Sequence, residues 1–137
     1  SCLPPLRLLQ KQKGEMKTAH DPRHKKRVQL VQHLFSADFQ KHSDPLIKHV
    51  WKRFPQIDPI IAEAAPEWPL DKLNRIDLAI LRLAVYELTV DKKEPYKVII
   101  DEAIELAKEF GSGNAGEFVN GVLGFIVNKY ETPDSHS

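Results

Sequence analysis

The stretch from Asn74 to Thr89 constrains the fold of this chain more than any other. Nine of the thirteen residues from Ile76 to Leu88 are aliphatic, and they cover more than one face of a helix. A helix that is exposed on one side keeps its apolar residues on a single stripe, so this width indicates a helix covered from most directions. Asn74 suits the N-cap, and Asp77 stands three residues later, where its carboxylate can reach back to the cap amide. The sequence therefore predicts a buried central helix.

Length and composition narrow the class of protein. A chain of 137 residues is long enough for one domain with its own core. Charges interrupt every apolar run well before the about 18 residues that a membrane helix needs, and the start shows no signal-peptide pattern. Cys2 is the only cysteine, which excludes an internal disulfide and a multi-cysteine metal site and fits a reducing compartment.

The near-neutral net charge of +1 conceals an uneven distribution. Residues 1–56 contain twelve Lys and Arg against four Asp and Glu, whereas residues 57–137 contain eight against fifteen. One half of the chain therefore suits a polyanionic partner and the other does not.

The chain divides into three regions. Residues 1–20 lack periodicity and are expected to be a disordered extension, followed by a helical domain over 21–131 and a disordered tail over 132–137. Met16 is the only methionine and resembles a protein start, so residues 1–15 are hypothesised to be extraneous; their presence in natively expressed protein would contradict this.

A basic cluster opens the first predicted helix. Asp21 suits the N-cap and Pro22 the first helical position. The stripe Val28, Val31, Leu34, Phe35 and Phe39 would face the core. Cations at a helix N-terminus oppose the helix dipole, so this arrangement indicates either a phosphate-binding arm or a solvated basic face. The cluster consists of Arg23, His24, Lys25, Lys26 and Arg27.

Further helices are predicted along the rest of the chain, and no stretch is typical of a strand. Trp68 stands between two prolines and is expected to fill a gap in the core. Gly121 and Gly124 share a face that would let a neighbouring helix approach closely. The helix after the central one has an acidic outer face, expected to be solvated. We thus predict a compact all-α domain of about six to seven helices, which include Ser43–Phe54, Asp58–Ala65 (capped by Asp58, with Pro59 first), Tyr96–Phe110 and Asn114–Tyr130.

The sequence offers little chemistry for catalysis or for cofactors. The segment Gly111 to Gly116 matches G-x-G-x-x-G, but it follows a helix rather than a strand, so we interpret it as a helix stop, a turn and the next N-cap. His20 and His24 are four residues apart, but Pro22 lies between them and no carboxylate cluster completes a metal site. No nucleophile motif, phosphate loop or convergent carboxylate pair is present. We therefore expect no enzyme activity, no metal, no cofactor and no small-molecule substrate.

The remaining features favour a role in binding RNA. Cations at the start of the first helix would contact phosphates, and Phe118, just after the turn at Asn114, would stack on a base. Phe118 has an ordinary alternative role as a core residue, which spacing alone does not decide.

Three segments resemble the NusB family of bacterial transcription antitermination factors: RIDLAILRLAVYEL from Arg75, PYKVIIDEAIELAKEFG to Gly111, and EFVNGVL to Gly124. They occur in the family's order and near its spacing. The basic cluster leading into VQHLF also resembles the family's first helix, so the resemblance covers essentially residues 23–129.

The resemblance implies a cytoplasmic bacterial protein that pairs with the small-subunit ribosomal protein NusE on boxA RNA of nascent ribosomal RNA, as part of the transcription elongation complex. By position it implies RNA contacts at Arg23, His24, Lys25, Lys26, Arg27, Asn114 and Phe118. It implies a protein-partner face near Phe35, Arg75 and Asp77. Lysine and histidine replace some of the family's arginines, which keeps charge but weakens bidentate phosphate contacts.

Two alternatives stay open at this point. NusB-like domains also occur attached to RNA cytosine methyltransferases, where they position the substrate. The other alternative is a protein-only helical scaffold whose basic helix start binds an acidic partner.

Overall fold

The computed structural model describes residues 21–40, with side chains up to Ser36, together with residues 45–111 and 113–130. These residues form helices and turns without any strand, which confirms the predicted all-α class. The predicted extension and tail lie outside the described residues. The α-helices within these ranges are α1 (Pro22–Gln40), α2 (Lys48–Trp51), α3 (Phe54–Ala64), α4 (Arg75–Tyr86), α5 (Tyr96–Phe110) and α6 (Ala115–Tyr130), with a 3₁₀ turn at Leu70–Lys72 and a π-helical turn at Glu87–Asp91.

Helix α4 is the central rod of the domain, as its sequence predicts. Its aliphatic residues are buried on all sides, and α1, α3, α5 and α6 pack against it. The Asn74 side-chain oxygen accepts hydrogen bonds from the amides of Ile76 (2.9 Å) and Asp77 (3.2 Å), so the predicted N-cap is confirmed. Because four helices share one rod, the separations between their ends are fixed by core packing.

Helix α1 begins as predicted. The Asp21 carboxylate accepts a hydrogen bond from the Arg23 amide at 2.9 Å, and Pro22 occupies the first helical position, where no amide partner is needed. The buried face of α1 contains Leu30, Val31, Leu34 and Phe35. Phe39 belongs to the segment whose side chains are not described.

The proline-rich segment folds differently from the prediction. Helix α2 spans only Lys48–Trp51, and α3 begins at Phe54, so the expected start at Asp58 is wrong. Pro59 lies inside α3 and costs the helix one backbone hydrogen bond. Asp58 is engaged elsewhere: its carboxylate accepts two hydrogen bonds from Arg82 on α4, at 3.0 and 2.9 Å. The predicted cap Ser43 lies outside the described residues.

Two packing predictions are also wrong. The Trp68 side chain is 53% exposed and fills no gap in the core. A methyl group added at Gly121 or Gly124 would meet no described atom within 4 Å, so these glycines mediate no close helix contact. Within the described ranges, no helix is long and apolar enough to cross a membrane.

Candidate nucleic-acid interface

The basic start of α1 divides into a buried half and an exposed half. His24 and Arg27 are 3% and 7% exposed, and they lie three residues apart on the face that buries Val31 and Leu34. The remaining members of the cluster, Arg23, Lys25 and Lys26, are exposed. The basic face predicted from the sequence is therefore smaller than expected, because the side chains of His24 and Arg27 point into the interior of the domain.

His24 is held between two carboxylates of α5. Its Nδ1 lies 2.8 Å from Glu102 Oε1 in a buried hydrogen bond, and its Nε2 lies 3.3 Å from Glu109 Oε1. The bond to Glu102, with the second carboxylate of Glu109, outweighs desolvation and raises the pKa of His24 to about 9. At neutral pH the imidazole is therefore charged, and it clamps the start of α1 to α5.

Glu102 and Glu109 correct the prediction of a solvated acidic face. They are seven residues apart on α5, so they lie on the same side of the helix two turns from each other. Their side chains are 10% and 8% exposed because they face α1 rather than water.

Arg27 is the second anchor of α1. Its Nε and Nη2 donate to the two carboxylate oxygens of Glu87 at 2.9 and 2.7 Å, and Nη2 also donates to Glu94 at 2.7 Å. Arg23 contacts the other oxygen of Glu94 at 3.4 Å and bonds Asp21. Arg27 is thus committed to holding α1 against the π-helical turn and the loop before α5.

Lys25 and Lys26 make up the unneutralised part of the cluster. Neither forms an ion pair with any carboxylate among the residues that the structure describes. Both lie in the first turns of α1, where the helix dipole adds to their positive potential. An anion such as a phosphate can approach this surface without displacing an existing partner.

The turn between α5 and α6 has the role that the sequence indicates. Gly113 adopts φ +55°, a left-handed conformation that glycine permits, and α5 ends at Phe110 as predicted. A methyl group at Gly111 would lie 2.6 Å from Ala115 Cβ and 2.7 Å from both Ala107 O and Asp77 Oδ1. The glycines therefore allow a tight reversal between two helices, and dinucleotide binding lacks its strand in this part of the chain.

An aromatic groove of about 480 Å³ opens beside this turn. Its lining includes Asn114, Glu117 and Phe118 from the turn and α6, together with Trp68 and Asp77. Phe118 is half-buried and Trp68 exposed, so two ring systems reach one concave surface. Such a surface suits a stacked nucleobase.

Asp77 also lines this groove, and its Oδ1 is buried beside Gly111. The residue is 8% exposed, its Oδ1 has no hydrogen-bond partner in the described structure, and burial raises the pKa of its carboxyl group. It does not use Oδ1 to reach back to the cap amide. The structure thus places Asp77, predicted for the protein partner, in the same groove as the predicted RNA residues Asn114 and Phe118.

The two predicted RNA elements lie on either side of the last turn of α5. The His24–Glu109 contact brings the start of α1 to this turn, and a methyl group at Gly116 in α6 would lie 3.4 Å from Lys108 Cγ on the same turn. The basic start of α1 and the aromatic groove share no lining residue. They are separate surfaces held at a fixed distance.

The other two predicted partner residues have structural roles. Phe35 is 4% exposed and belongs to the core, so it cannot form part of an exposed face in this conformation. Arg75 is half-buried and donates to the backbone carbonyls of Leu70 and Leu73, which ties the 3₁₀ turn to the start of α4. Among the described side chains, no group of three or more His, Cys, Asp or Glu is arranged to hold a metal ion.

Comparison with known proteins identifies this architecture. The sequence model of the NusB family matches residues 8–128. The chain belongs to the NusB family. It is 47% identical over 97 residues to the transcription antitermination protein NusB of Chloroflexus aggregans, covering 69% of this chain and 63% of that protein. It is 42% identical over 104 residues to the NusB protein of Herpetosiphon aurantiacus, covering 74% and 71%.

The solved structure of NusB from T. maritima has the same fold. The two superpose with a TM-score of 0.72 at 31% sequence identity, covering 83% of this chain and 95% of that chain. The match nevertheless spans less than two thirds of the length of the Chloroflexus aggregans relative.

Sequence reasoning missed Trp68 and the acidic partners of α1 in this NusB fold. Nothing in the local pattern marks Trp68 as exposed, because prolines flank it and no periodicity assigns it a face. The acidic partners did leave a signal. His24 and Arg27 share the helical spacing of the apolar stripe, and Glu102 and Glu109 share one face of α5.

Proposed function

We propose that this NusB-family chain is a non-enzymatic RNA-binding transcription antitermination factor. It pairs with the ribosomal protein NusE on boxA RNA of nascent ribosomal RNA transcripts, within the transcription elongation complex of the bacterial cytoplasm. The names of its relatives and the match over most of the chain support this assignment.

The single observation that carries the proposal is the placement of two complementary surfaces around one helical turn. The contact between His24 and Glu109 holds the start of α1 at the turn that leads into Asn114. Proteins commonly bind single-stranded RNA with cations that contact the phosphates and aromatic rings that stack on the bases. Both surfaces are available within one rigid domain.

The roles within the basic cluster follow from burial. Arg23, Lys25 and Lys26 face solvent and are assigned to phosphates, whereas His24 and Arg27 position α1 from the interior. At the turn, Asn114 carries no charge, so it does not repel a nearby phosphate as a carboxylate would. Phe118 is assigned to base stacking, with Trp68 across the same groove.

The protein partner is assigned to the start of α4. Asp77 lines the aromatic groove at this position, and Arg75 shapes the turn beside it. Phe35 supports the domain from the core and is not assigned a direct contact. Because Asp77 lines the aromatic groove, RNA and NusE would meet at adjoining surfaces.

Fluorescence anisotropy with labelled boxA-type RNA, with and without purified NusE, tests the proposal. We expect binding that weakens steeply with salt and that strengthens when NusE is present. A protein-only scaffold would instead bind an acidic peptide while leaving RNA unbound up to high protein concentration. That outcome would overturn the proposed function.

A further inference from the structure

The surface of α2 carries a concentration of basic side chains. Lys48, His49, Lys52 and Arg53 are all exposed within six residues of sequence. They border a cavity of about 410 Å³ whose described lining also includes Tyr86 and contains no acidic residue. We call Lys48, His49, Lys52 and Arg53 the α2 surface.

The α2 surface is continuous with the basic start of α1. A second cavity, of about 320 Å³, is lined by Arg23 and Lys26 and also by His49 and Tyr86. The His49 and Tyr86 rings lie edge to face, with centroids 5.3 Å apart. These two rings therefore lie where the cavities meet, and the exposed cations of α1 and α2 border one connected depression.

Each carboxylate that lines this depression has a cationic partner. Glu87 is paired with Arg27 at 2.7 Å, and Glu94 is paired with the same arginine at 2.7 Å. The remaining acid in the lining, Asp91, lies 3.8 Å from Lys93. Lys48 and Lys52, in contrast, form no ion pair with any carboxylate in the described ranges. The unpaired charge of the depression is positive.

We propose that the α2 surface is a second phosphate-binding site, over which the RNA chain continues from the start of α1. This inference rests on the proposed RNA-binding function and extends it to residues outside the predicted site. Lys52 follows α2 directly, and its amide donates to the Lys48 carbonyl at 3.0 Å. The two lysines therefore lie one helical turn apart, where both can contact one sugar–phosphate backbone. The site serves affinity for longer RNA rather than sequence selection, because phosphate contacts carry no base information.

RNA fits this surface better than an acidic protein segment does. The depression leads directly to the cations already assigned to RNA, and its midpoint consists of the rings of His49 and Tyr86. Aromatic rings interleaved with cations are typical of single-strand binding.

The test compares Lys48→Gln/Lys52→Gln with wild type and with Lys92→Gln/Lys97→Gln. The control removes the same charge from exposed lysines that line neither cavity. Single-stranded RNAs of increasing length are titrated at several salt concentrations. For long RNA, we expect the α2 variant alone to bind more weakly and to have a salt slope shallower by about 1.4, because each lost contact with a single strand contributes about 0.7. For the shortest RNAs that bind, it should match wild type.

These titrations distinguish failure of the α2 site from failure of the proposed RNA-binding function. If the α2 variant binds long RNA with wild-type affinity and slope while Lys25→Gln/Lys26→Gln weakens binding, this inference fails and the proposed function stands. If wild type binds no RNA, both fail. If the α2 variant loses only binding to polyglutamate, the surface belongs to an acidic protein partner and the inference is overturned.

Discussion

The guanidinium of Arg27 donates a hydrogen bond to each carboxylate oxygen of Glu87, from Nε to Oε2 at 2.9 Å and from Nη2 to Oε1 at 2.7 Å. This two-point contact joins α1 to the π-helical turn that ends the central rod. A bidentate pair fixes direction as well as distance. A residue that the sequence presents as one of five RNA-binding cations is therefore part of the frame that holds the other cations in place.

Replacing Arg27 should affect folding, whereas replacing Lys26 should affect binding. We expect Arg27→Gln to lower the free energy of unfolding by about 3 kcal/mol, because Glu87 and Glu94 lose their partner in a poorly solvated site. Lys26→Gln should leave stability unchanged within about 0.5 kcal/mol, since its side chain is exposed and unpaired. Urea denaturation of both variants checks this, and equal stability of the two would contradict the division of the cluster.

His24 should make stability depend on pH. Its pKa of about 9 in the folded state lies above the 6.5 of an ordinary histidine, so the folded state binds the proton more tightly. The stabilisation is fully present below pH 6.5 and is lost as pH rises through about 9. The difference in unfolding free energy between wild type and His24→Gln should shrink by roughly 3 kcal/mol from pH 6 to pH 10.

A control for this pH profile is Gly121→Ala, which removes no ionisable group, so its difference from wild type should stay nearly constant over the same range. A flat difference for His24→Gln would show that the imidazole is not charged between Glu102 and Glu109.

Substitution by alanine should destabilise the fold at Gly111 but stabilise it at Gly121 and Gly124. Gly111→Ala should destabilise the fold by about 1–3 kcal/mol, because its methyl group would lie within 2.7 Å of the Ala107 carbonyl and the Asp77 carboxylate. Gly121→Ala and Gly124→Ala should each stabilise it by about 0.5–1 kcal/mol, since they are inside α6 and their methyl groups meet open space. Thermal unfolding measures all three, and a stabilising Gly111→Ala would contradict the tight α5–α6 turn.

Trp68 should report on the aromatic groove. In a Trp51→Phe variant it is the only tryptophan, and we expect its emission to change when single-stranded RNA binds beside Phe118. Adding Phe118→Ala should weaken the affinity measured this way by about 1–3 kcal/mol, the usual contribution of one stacked base. RNA binding that leaves Trp68 emission unchanged would place the bases elsewhere.

Sequence reasoning succeeded where one strong signal acts alone. The bounds Tyr96–Phe110 match α5 exactly, because Pro95 precedes it and Gly111 ends it. Asn74 marks the start of α4 in the same way, through a side-chain cap that the structure contains. Dense apolar content then indicates burial of α4 without any knowledge of its neighbours.

It failed where signals compete or where tertiary contacts decide. After Phe54, Pro55, Asp58 and Pro59 all suggest a helix start. The helix begins at Phe54, and Asp58 pairs with Arg82 instead of capping a helix that starts later. In the basic cluster, charge alone indicates solvent exposure. The burial of His24 depends on carboxylates 78 and 85 residues further along the chain, which local patterns do not reveal.

In our proposal, the exposed cations of α1 and the aromatic groove beside α6 form one composite RNA interface. The most direct test is the salt dependence of RNA affinity for wild type, Lys25→Gln/Lys26→Gln and Phe118→Ala. We predict that the lysine variant loses affinity for every RNA and has a slope shallower by about 1.4, while Phe118→Ala loses affinity at an unchanged slope. Wild-type affinity and slope in both variants would contradict the account.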